Sequence, residues 1–137
     1  MAGSAPRVLY LDASAIVKLV IHERETDRLI DYVGDAALVS SEVSEVEVPR
    51  AAYLATGESD SIARAEAALR RFSLVALDDE LRREAARVRP PELCSLDAIH
   101  LASCLRLKAQ LDAVVAYDRT LTAALRAHAF PVAAPGR

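Results

Sequence analysis

The sequence predicts one α/β domain, with a mainly parallel sheet of roughly four to five strands flanked by about seven helices. Short apolar runs of strand length alternate along the chain with helical segments of about ten residues, which is typical of parallel strands joined by helical crossovers. The chain has 137 residues, the size of a single domain. Hydrophobic residues make up 53% and aromatic residues only 4%, so the core is expected to consist of aliphatic side chains packed between helices and sheet.

The predicted elements follow one another along the whole chain. Apolar runs bounded by polar segments predict strands at residues 8–11, 37–40, 74–77, 113–116 and 130–133. Apolar residues at helical spacing, with Ser or Asp at several of the starts, predict helices at residues 14–20, 25–33, 41 or 44 to 55, 59–72, 79–88, 96–107 and 119–128. All of them belong to one domain, 1–137, whose ends at 1–6 and 134–137 are predicted to be loose tails.

Charge and cysteine content narrow the function classes. The net charge of −3, from 17 basic and 20 acidic residues, argues weakly against a general nucleic-acid-binding surface. Cys94 and Cys104 have a spacing that fits neither a disulfide framework nor a zinc site, so both are predicted to be buried thiols in a reducing cytoplasm. No apolar run reaches membrane-spanning length and the N-terminus does not resemble a signal peptide, which predicts a cytoplasmic location and no membrane partner.

Four acidic residues stand at the ends of predicted strands or near the starts of helices. Asp12 ends the first strand, Asp118 follows the fourth, and Glu47 and Asp97 lie early in their helices. Each of them alone is typical of a helix cap or a first-turn acid. Right-handed crossovers bring the carboxyl ends of parallel strands to one edge, so the four can converge there. Clustered carboxylates need a cation between them, and ligand sets made only of oxygen favour Mg²⁺ or Mn²⁺.

Four segments resemble, in order and spacing, those of PIN-domain proteins. They are VLYLDASA at 8–15, VEVPRA at 46–51, LDAIHLA at 96–102 and AYDRTL at 116–121. The resemblance extends over about residues 7–132 and includes VapC-type toxins of bacterial toxin–antitoxin pairs. It implies a PIN-like three-layer α/β fold.

The same resemblance implies an Mg²⁺-dependent endoribonuclease, with Mn²⁺ able to substitute, that is the toxin of a type II toxin–antitoxin pair. It implies Asp12, Glu47, Asp97 and Asp118 as the catalytic acids and Ser14 as a hydroxyl that orients the site. Metal ions would be held by Asp12, Asp97 and Asp118, while Glu47 would bind metal or orient the attacking water. The implied partners are an RNA substrate, an antitoxin whose C-terminal segment reaches the acidic site, and a second copy of the chain in a homodimer.

Pro49 bears on the orientation of one acid. A proline inside a helix removes one backbone donor and is expected to bend the third predicted helix. If the bend turned Glu47 away, Glu45 would be its possible substitute, although two residues along a helix is nearly the opposite face.

Other polar residues have weaker indications. Arg24, Arg50 and Arg119 are candidate contacts to RNA phosphates at the same edge, the alternative being solvated charges or helix ion pairs. His100 follows Asp97 by three residues and could be a general base. Packing or local hydrogen bonding is the stronger expectation, because carboxylates and a metal suffice for catalysis.

The first three helices carry more apolar residues than the sheet is expected to cover. Some of them are therefore predicted to line a groove or a dimer interface. The set consists of Ile16, Val20, Leu29, Ile30, Val33, Val48 and Leu54.

Other classes of function remain open at this point. A metal-binding module of the same fold, with weak or no turnover, could act through protein binding, because four carboxylates do not prove catalysis. A phosphorelay receiver domain would need an acidic pair at the end of the first strand and a lysine late in the sheet, whereas Lys108 precedes the fourth strand. A haloacid-dehalogenase-like phosphatase would need Asp-x-Asp, and Ser14 stands at the second of those positions.

Overall fold

The computed structural model describes residues 5–137, which form five strands and seven helices. The strands are β1 (Val8–Leu11), β2 (Ala37–Ser41), β3 (Phe72–Val75), β4 (Ala113–Val115) and β5 (Val132–Ala133). The helices are α1 (Ala13–Val20), α2 (Thr26–Val33), α3 (Ser44–Thr56), α4 (Asp60–Leu69), α5 (Asp79–Ala85), α6 (Ser95–Arg106) and α7 (Arg119–Ala127). The predicted α/β class and alternation of elements are confirmed.

The sheet is parallel throughout, in the order β3-β2-β1-β4-β5. In the centre, Leu9 of β1 pairs with Leu38 of β2 on one side and with Ala113 of β4 on the other. The later strands are added on both sides of β1, with β2 and β3 on one side and β4 and β5 on the other. This topological switch point opens a crevice at the carboxyl ends of β1 and β4. The fold therefore places its natural binding edge where Asp12 follows β1 and Asp118 follows β4.

Apolar side chains cover both faces of the sheet and make three layers. The alternation along β1 sends Leu9 and Leu11 into a cluster with α1, α2, α3 and α4, and sends Tyr10 to the other side with α6 and α7. A smaller cluster joins α5 to α6 through Leu81 and Ala102. The core is mainly aliphatic, as the composition predicts, and it packs against both faces of β1 and β4.

Two strands differ from their predicted positions. β3 begins at Phe72 and not at 74, and α4 ends at Leu69 and not at 72. The reason is that Phe72 is buried and pairs with Leu38 of β2. This pairing makes Phe72 the first residue of the strand, so it cannot belong to the preceding helix. β5 has only two residues, since Phe130 packs into the core before the strand begins.

The C-terminal residues 134–137 are not the loose tail that the sequence predicts. The Tyr117 hydroxyl donates to the Pro135 carbonyl at 2.8 Å, and the Arg137 guanidinium donates to the Tyr117 carbonyl. Gly136 has a φ of +84° and lies so close to α2 that an added Cβ would stand 3.0 Å from the Cα of Glu25. Because these contacts involve backbone atoms, they produce no apolar pattern from which the sequence could predict them. At the other end, residues 1–4 of the predicted tail lie outside the described residues.

The two cysteines differ in exposure, and both are free thiols. Cys104 is buried in the layer of α6 and α7, as predicted. The prediction of burial is wrong for Cys94, which is exposed because it lies at the N-cap of α6, at the surface.

The apolar surplus of the early helices is smaller than predicted. Most of the seven residues enter the core, whereas Ile30 on α2 and Leu54 on α3 are exposed, Leu54 to 87%. Val46 and Tyr53 add to the exposed apolar surface of α3. Among residues 5–137, no helix has the length and apolarity that a membrane crossing requires.

Candidate active site

Asp12 lies at the carboxyl end of β1 and is only 4% exposed. Its backbone N–H donates to the Val115 carbonyl of β4, and its Oδ1 accepts hydrogen bonds from Ser14 Oγ at 2.7 Å and from the Ala15 N–H at 3.1 Å. The residue is therefore an N-cap of α1 and a buried acid at the binding edge at the same time. Burial raises the pKa of Asp12, and the Glu47 carboxylate raises it further, against the hydrogen bonds and His100, which lower it.

Ser14 joins the two central strand ends. Its Oγ donates to Asp12 and accepts from the backbone N–H of Tyr117 at 3.2 Å. Tyr117 follows β4 and directly precedes Asp118, so one hydroxyl links the positions of both acids. This is the orienting geometry that the resemblance implies for Ser14.

Asp97 and Asp118 interact through their charges near the carboxyl end of β4. Asp118 is exposed and caps α7 by accepting at Oδ2 from the Leu121 N–H at 2.9 Å. Asp97 is half-buried in the first turn of α6. Burial raises the pKa of Asp97, and the charges of Asp118 and Glu47 raise it as well, while Cys94 and His100 lower it. The carboxylates thus lie close enough to repel one another.

Glu47 points into this edge despite the proline that follows it. Helix α3 continues through Pro49, which is buried, and Glu47 Oε1 accepts from His100 Nε2 at 2.8 Å. Glu45 lies on the exposed face of the helix. The proline therefore does not turn Glu47 away, and Glu45 does not replace it.

His100 is the site residue whose partners sequence reasoning missed. It is buried and hydrogen-bonds not only Glu47 but also the Tyr10 hydroxyl, at 2.7 Å from Nδ1. His100 packs in the interior, as expected, but its hydrogen bonds are not local, because the two partners lie on other elements, 90 and 53 residues away in the chain. The spacing from Asp97 is the one signal in the sequence that could have pointed to it.

The donors at this edge fit a hard divalent cation that keeps water in its coordination sphere. All four acids offer oxygen. The charge of Glu47 raises the pKa values of Asp12 and Asp97, and the charge of Asp118 raises that of Asp97, a repulsion that a cation would relieve. Within residues 5–137, no three His, Cys, Asp or Glu side chains stand close enough to enclose an ion alone. Mg²⁺ usually binds through one or two carboxylates plus water and phosphate oxygens, so the open arrangement suits it.

The arginines predicted for RNA separate in the structure. Arg24 is exposed and pairs loosely with Glu25 at 3.7 Å, and Arg50 is exposed on α3. Arg119 lines a shallow concavity of about 270 Å³ beside the ends of β4 and β5, together with Arg126 and Arg137. Sequence reasoning missed Arg126, which lies on α7 with Arg119, and Arg137, which the docked C-terminal segment brings to Arg119. A larger concavity of about 620 Å³, next to α5 and the start of α6, is lined by none of the four acids.

Comparison with known proteins identifies the family. The model of the PIN domain family matches residues 9–125. Ribonuclease VapC35 of Mycobacterium tuberculosis is 36% identical over 135 residues, covering 95% of this chain and 98% of that protein. Ribonuclease VapC46 of the same species is 39% identical over 128 residues, covering 93% and 97%.

Two solved structures share the fold at low sequence identity. M. tuberculosis VapC20, described as a sarcin–ricin loop cleaving toxin, has a TM-score of 0.66 at 17% identity, covering 85% of this chain and 94% of that one. VapBC2 from Rickettsia felis, solved bound to a DNA fragment from its promoter, has a TM-score of 0.67 at 8% identity, covering 92% and 97%. The family match over most of the chain and the full-length similarity to VapC ribonucleases confirm the resemblance of the four segments, and the chain belongs to the PIN domain family.

Proposed function

We propose that this protein is a metal-dependent endoribonuclease and the toxin of a type II toxin–antitoxin pair. The observation that carries the proposal is the charge interaction of Glu47 with Asp12 and Asp97, and of Asp118 with Asp97, in a PIN domain whose relatives are named ribonucleases. The receiver and phosphatase classes that the sequence left open do not fit membership of this family.

The residues have separate tasks in hydrolysis of an RNA phosphodiester. Asp12, Asp97 and Asp118 would hold Mg²⁺, or Mn²⁺ in its place, together with water and phosphate oxygens, since no three acids of the described chain stand close enough to enclose the ion alone. When bound, such an ion polarises phosphoryl oxygens and makes a water more acidic. Ser14 keeps the Asp12 carboxylate in place through Oδ1, while Glu47 orients the attacking water and accepts its proton.

The test is cleavage by the purified protein. Structured RNA incubated with the protein and Mg²⁺ is expected to be cut internally, and excess EDTA is expected to stop the reaction. Binding of RNA without cleavage under Mg²⁺ or Mn²⁺ would contradict the proposal and favour the binding module with weak or no turnover. Growth arrest on expression, relieved by co-expression of a neighbouring gene product, would separate a toxin from a housekeeping nuclease.

Replacing Ser14 by Ala is expected to lower the cleavage rate roughly 10- to 100-fold, the usual cost of losing a group that orients a metal ligand. The Tyr117 N–H also loses its acceptor, so the free energy of unfolding should fall by about 1–2 kcal/mol. Initial rates and urea unfolding measure the two effects. Ser59→Ala, at an exposed serine that makes no capping bond, is the control and should change neither.

We infer that Arg119, Arg126 and Arg137 bind RNA phosphates beside the acidic edge. Arg119 directly follows Asp118, and Arg126 lies two turns further on the same face of α7. All three are exposed around one concavity, and none forms an ion pair with an acid of the described chain. Unpaired guanidinium groups arranged in this way suit a phosphodiester backbone.

Arg126→Gln is expected to weaken binding of single-stranded RNA evenly across sequences. The slope of log affinity against log salt should fall by about one unit, because the protein then neutralises one phosphate fewer and releases one counterion fewer. Filter binding in EDTA across a salt series measures the slope, and Arg64→Gln on the exposed face of α4 is the control. An unchanged slope for Arg126→Gln would contradict binding of a phosphate by this arginine. Arg24 and Arg50 remain predictions that the same assay tests.

The antitoxin and the homodimer also remain predictions of the resemblance. The neighbour from R. felis is described as a VapBC complex, which supports pairing with an antitoxin. Exposed apolar side chains on α2 and α3, among them Ile30, Val46 and Leu54, offer surface for such contacts. Light scattering of the purified protein, alone and with the product of the adjoining gene, tests both predictions.

A further inference from the structure

A buried chain of hydrogen bonds joins three separate elements beneath the acidic edge. The Tyr10 hydroxyl of β1 contacts Nδ1 of His100 on α6 at 2.7 Å, and Nε2 of His100 contacts Oε1 of Glu47 on α3 at 2.8 Å. Tyr10 is 0% exposed and His100 2%. The two rings also pack edge to face, with centroids 5.8 Å apart and planes at 81°, so the imidazole is held by packing as well as by hydrogen bonds.

Each member of this chain is close in sequence to a proposed metal ligand. Tyr10 precedes Asp12 by two residues, and His100 follows Asp97 by one turn of α6. Glu47 is itself one of the acids. The chain therefore ties the third element, α3, to the two elements that carry Asp12 and Asp97.

The direction of the hydrogen bonds follows from the tyrosine. The buried Tyr10 hydroxyl lies 2.7 Å from Nδ1, and a phenol carries its hydrogen at neutral pH, so it can donate this hydrogen to the ring nitrogen. A hydroxyl that donates to Nδ1 leaves the ring hydrogen of His100 on Nε2. That hydrogen points at Glu47 Oε1, which is an acceptor when ionised.

Glu47 needs such a partner to hold one orientation. Its side chain is long and 19% exposed, so packing alone leaves it rotational freedom. Pro49, two residues later, has no N–H to donate to the carbonyl four residues earlier, so α3 has one backbone hydrogen bond fewer beside Glu47. The charge of Glu47 nevertheless acts on both Asp12 and Asp97, as expected for a carboxylate that faces them.

We propose that His100 is a positioning residue that, with its ring fixed by Tyr10, donates from Nε2 to Glu47 and holds this carboxylate at the acidic edge. The inference rests on the proposed ribonuclease function for its catalytic consequence. It assigns no proton transfer to His100. The His100 imidazole orients Glu47, which contacts the attacking water. The Tyr10 hydroxyl determines that Nε2 is the ring nitrogen that donates to Glu47.

Two conservative variants of His100 test the proposal. A glutamine amide reaches to about the position of Nε2, whereas an asparagine amide reaches only to about Nδ1. His100→Asn is therefore expected to lower kcat roughly 10- to 100-fold with little change in KM, and His100→Gln to recover most of the loss. Thermal melting shows whether both variants fold.

A double-mutant cycle separates action through Glu47 from a general effect on the fold. Adding His100→Asn to Glu47→Gln is expected to lower the rate little further, because the residue that His100 orients has already lost its function. Wild-type rates for His100→Asn, or full additivity with Glu47→Gln, would overturn the proposal.

A second readout needs neither metal nor activity. Imidazole ¹H–¹⁵N spectra of the metal-free wild-type protein are expected to show the His100 ring with hydrogen on Nε2 and none on Nδ1. The Nε2 resonance should shift in Glu47→Gln and stay in place in Glu45→Gln, whose side chain is exposed. A ring hydrogen on Nδ1, or indifference to Glu47→Gln, would overturn the proposal. A wild-type protein that cleaves no RNA overturns the proposed function, and these spectra then decide the Glu47 contact alone.

Discussion

Replacing Asp12 by Asn is expected to abolish RNA cleavage and, at the same time, to stabilise the metal-free fold. An ion held by this carboxylate would contribute several kcal/mol of charge stabilisation in the transition state. Each 1.36 kcal/mol is a factor of ten, so the loss should be on the order of 1,000-fold or more. Single-turnover cleavage under saturating Mg²⁺ measures it.

The gain in stability has a local cause. Asparagine has the shape of aspartate and can accept at Oδ1 from Ser14 and from the Ala15 N–H, so the cap of α1 survives. The substitution removes a buried charge. Because a charge is costly to bury, burial raises the pKa of Asp12. The free energy of unfolding in urea, with EDTA at neutral pH, should rise by about 1 kcal/mol, a common gain when a functional site is relieved of strain.

Asp78 supplies the matched control. It caps α5 with the same geometry, accepting at Oδ1 from the Leu81 N–H at 2.8 Å, but it pairs with Arg106 and lies away from the other acids. Arg106 lowers the pKa of Asp78. Asp78→Asn should therefore leave cleavage unchanged and lower stability at neutral pH, the opposite of Asp12→Asn. Equal effects of the two variants would show that Asp12 is only a helix cap.

Without metal, the acidic edge is expected to make the free energy of unfolding fall as the pH rises. Mg²⁺ is expected to reverse this pH dependence. Burial raises the pKa values of Asp12 and Asp97, so between their ordinary values and the raised ones the folded state holds more protons than the unfolded state. This part of the stability is therefore present at low pH and is lost as the pH rises through the raised values. The difference in unfolding free energy between the wild type and the Asp12→Asn/Asp97→Asn double variant, measured without metal, isolates it.

With Mg²⁺ the sign should change, since the ion binds only ionised carboxylates. At 100 times its dissociation constant, a ligand of the folded state adds about 2.7 kcal/mol. For a domain of this size that is a rise in Tm of roughly 8 °C. NaCl at matched ionic strength is the control for screening. A rise of the same size in Asp12→Asn would contradict binding at the acidic edge.

The sequence predicts much of the fold because its central strands are unambiguous. Residues 8–11 and 113–115 are wholly apolar. Asp12 directly follows the first strand and Asp118 follows the second by three residues, so both the strands and these two acids can be located from local sequence. The start of β3 differs from its predicted position because its register depends on Phe72 pairing with β2, a strand more than thirty residues away. The docking of the C-terminal residues is not predicted for a similar reason. The Pro135 carbonyl accepts from the Tyr117 hydroxyl and Arg137 donates to the Tyr117 carbonyl, contacts that leave no periodic pattern.

The candidate site likewise has one part that the sequence predicts and another that depends on the tertiary structure. By itself the sequence determined the α/β class and pointed to the four acids and Ser14 as candidate site residues, because strand ends, helix starts and family segments are local features. Only the tertiary structure decided that Glu47 faces the edge in spite of Pro49, that His100 bridges Tyr10 to Glu47, and that three arginines share one concavity. Periodicity tells which face of an element is buried, but a hydrogen bond between side chains 53 or 90 residues apart exists only once the sheet order has brought β1, α3 and α6 together.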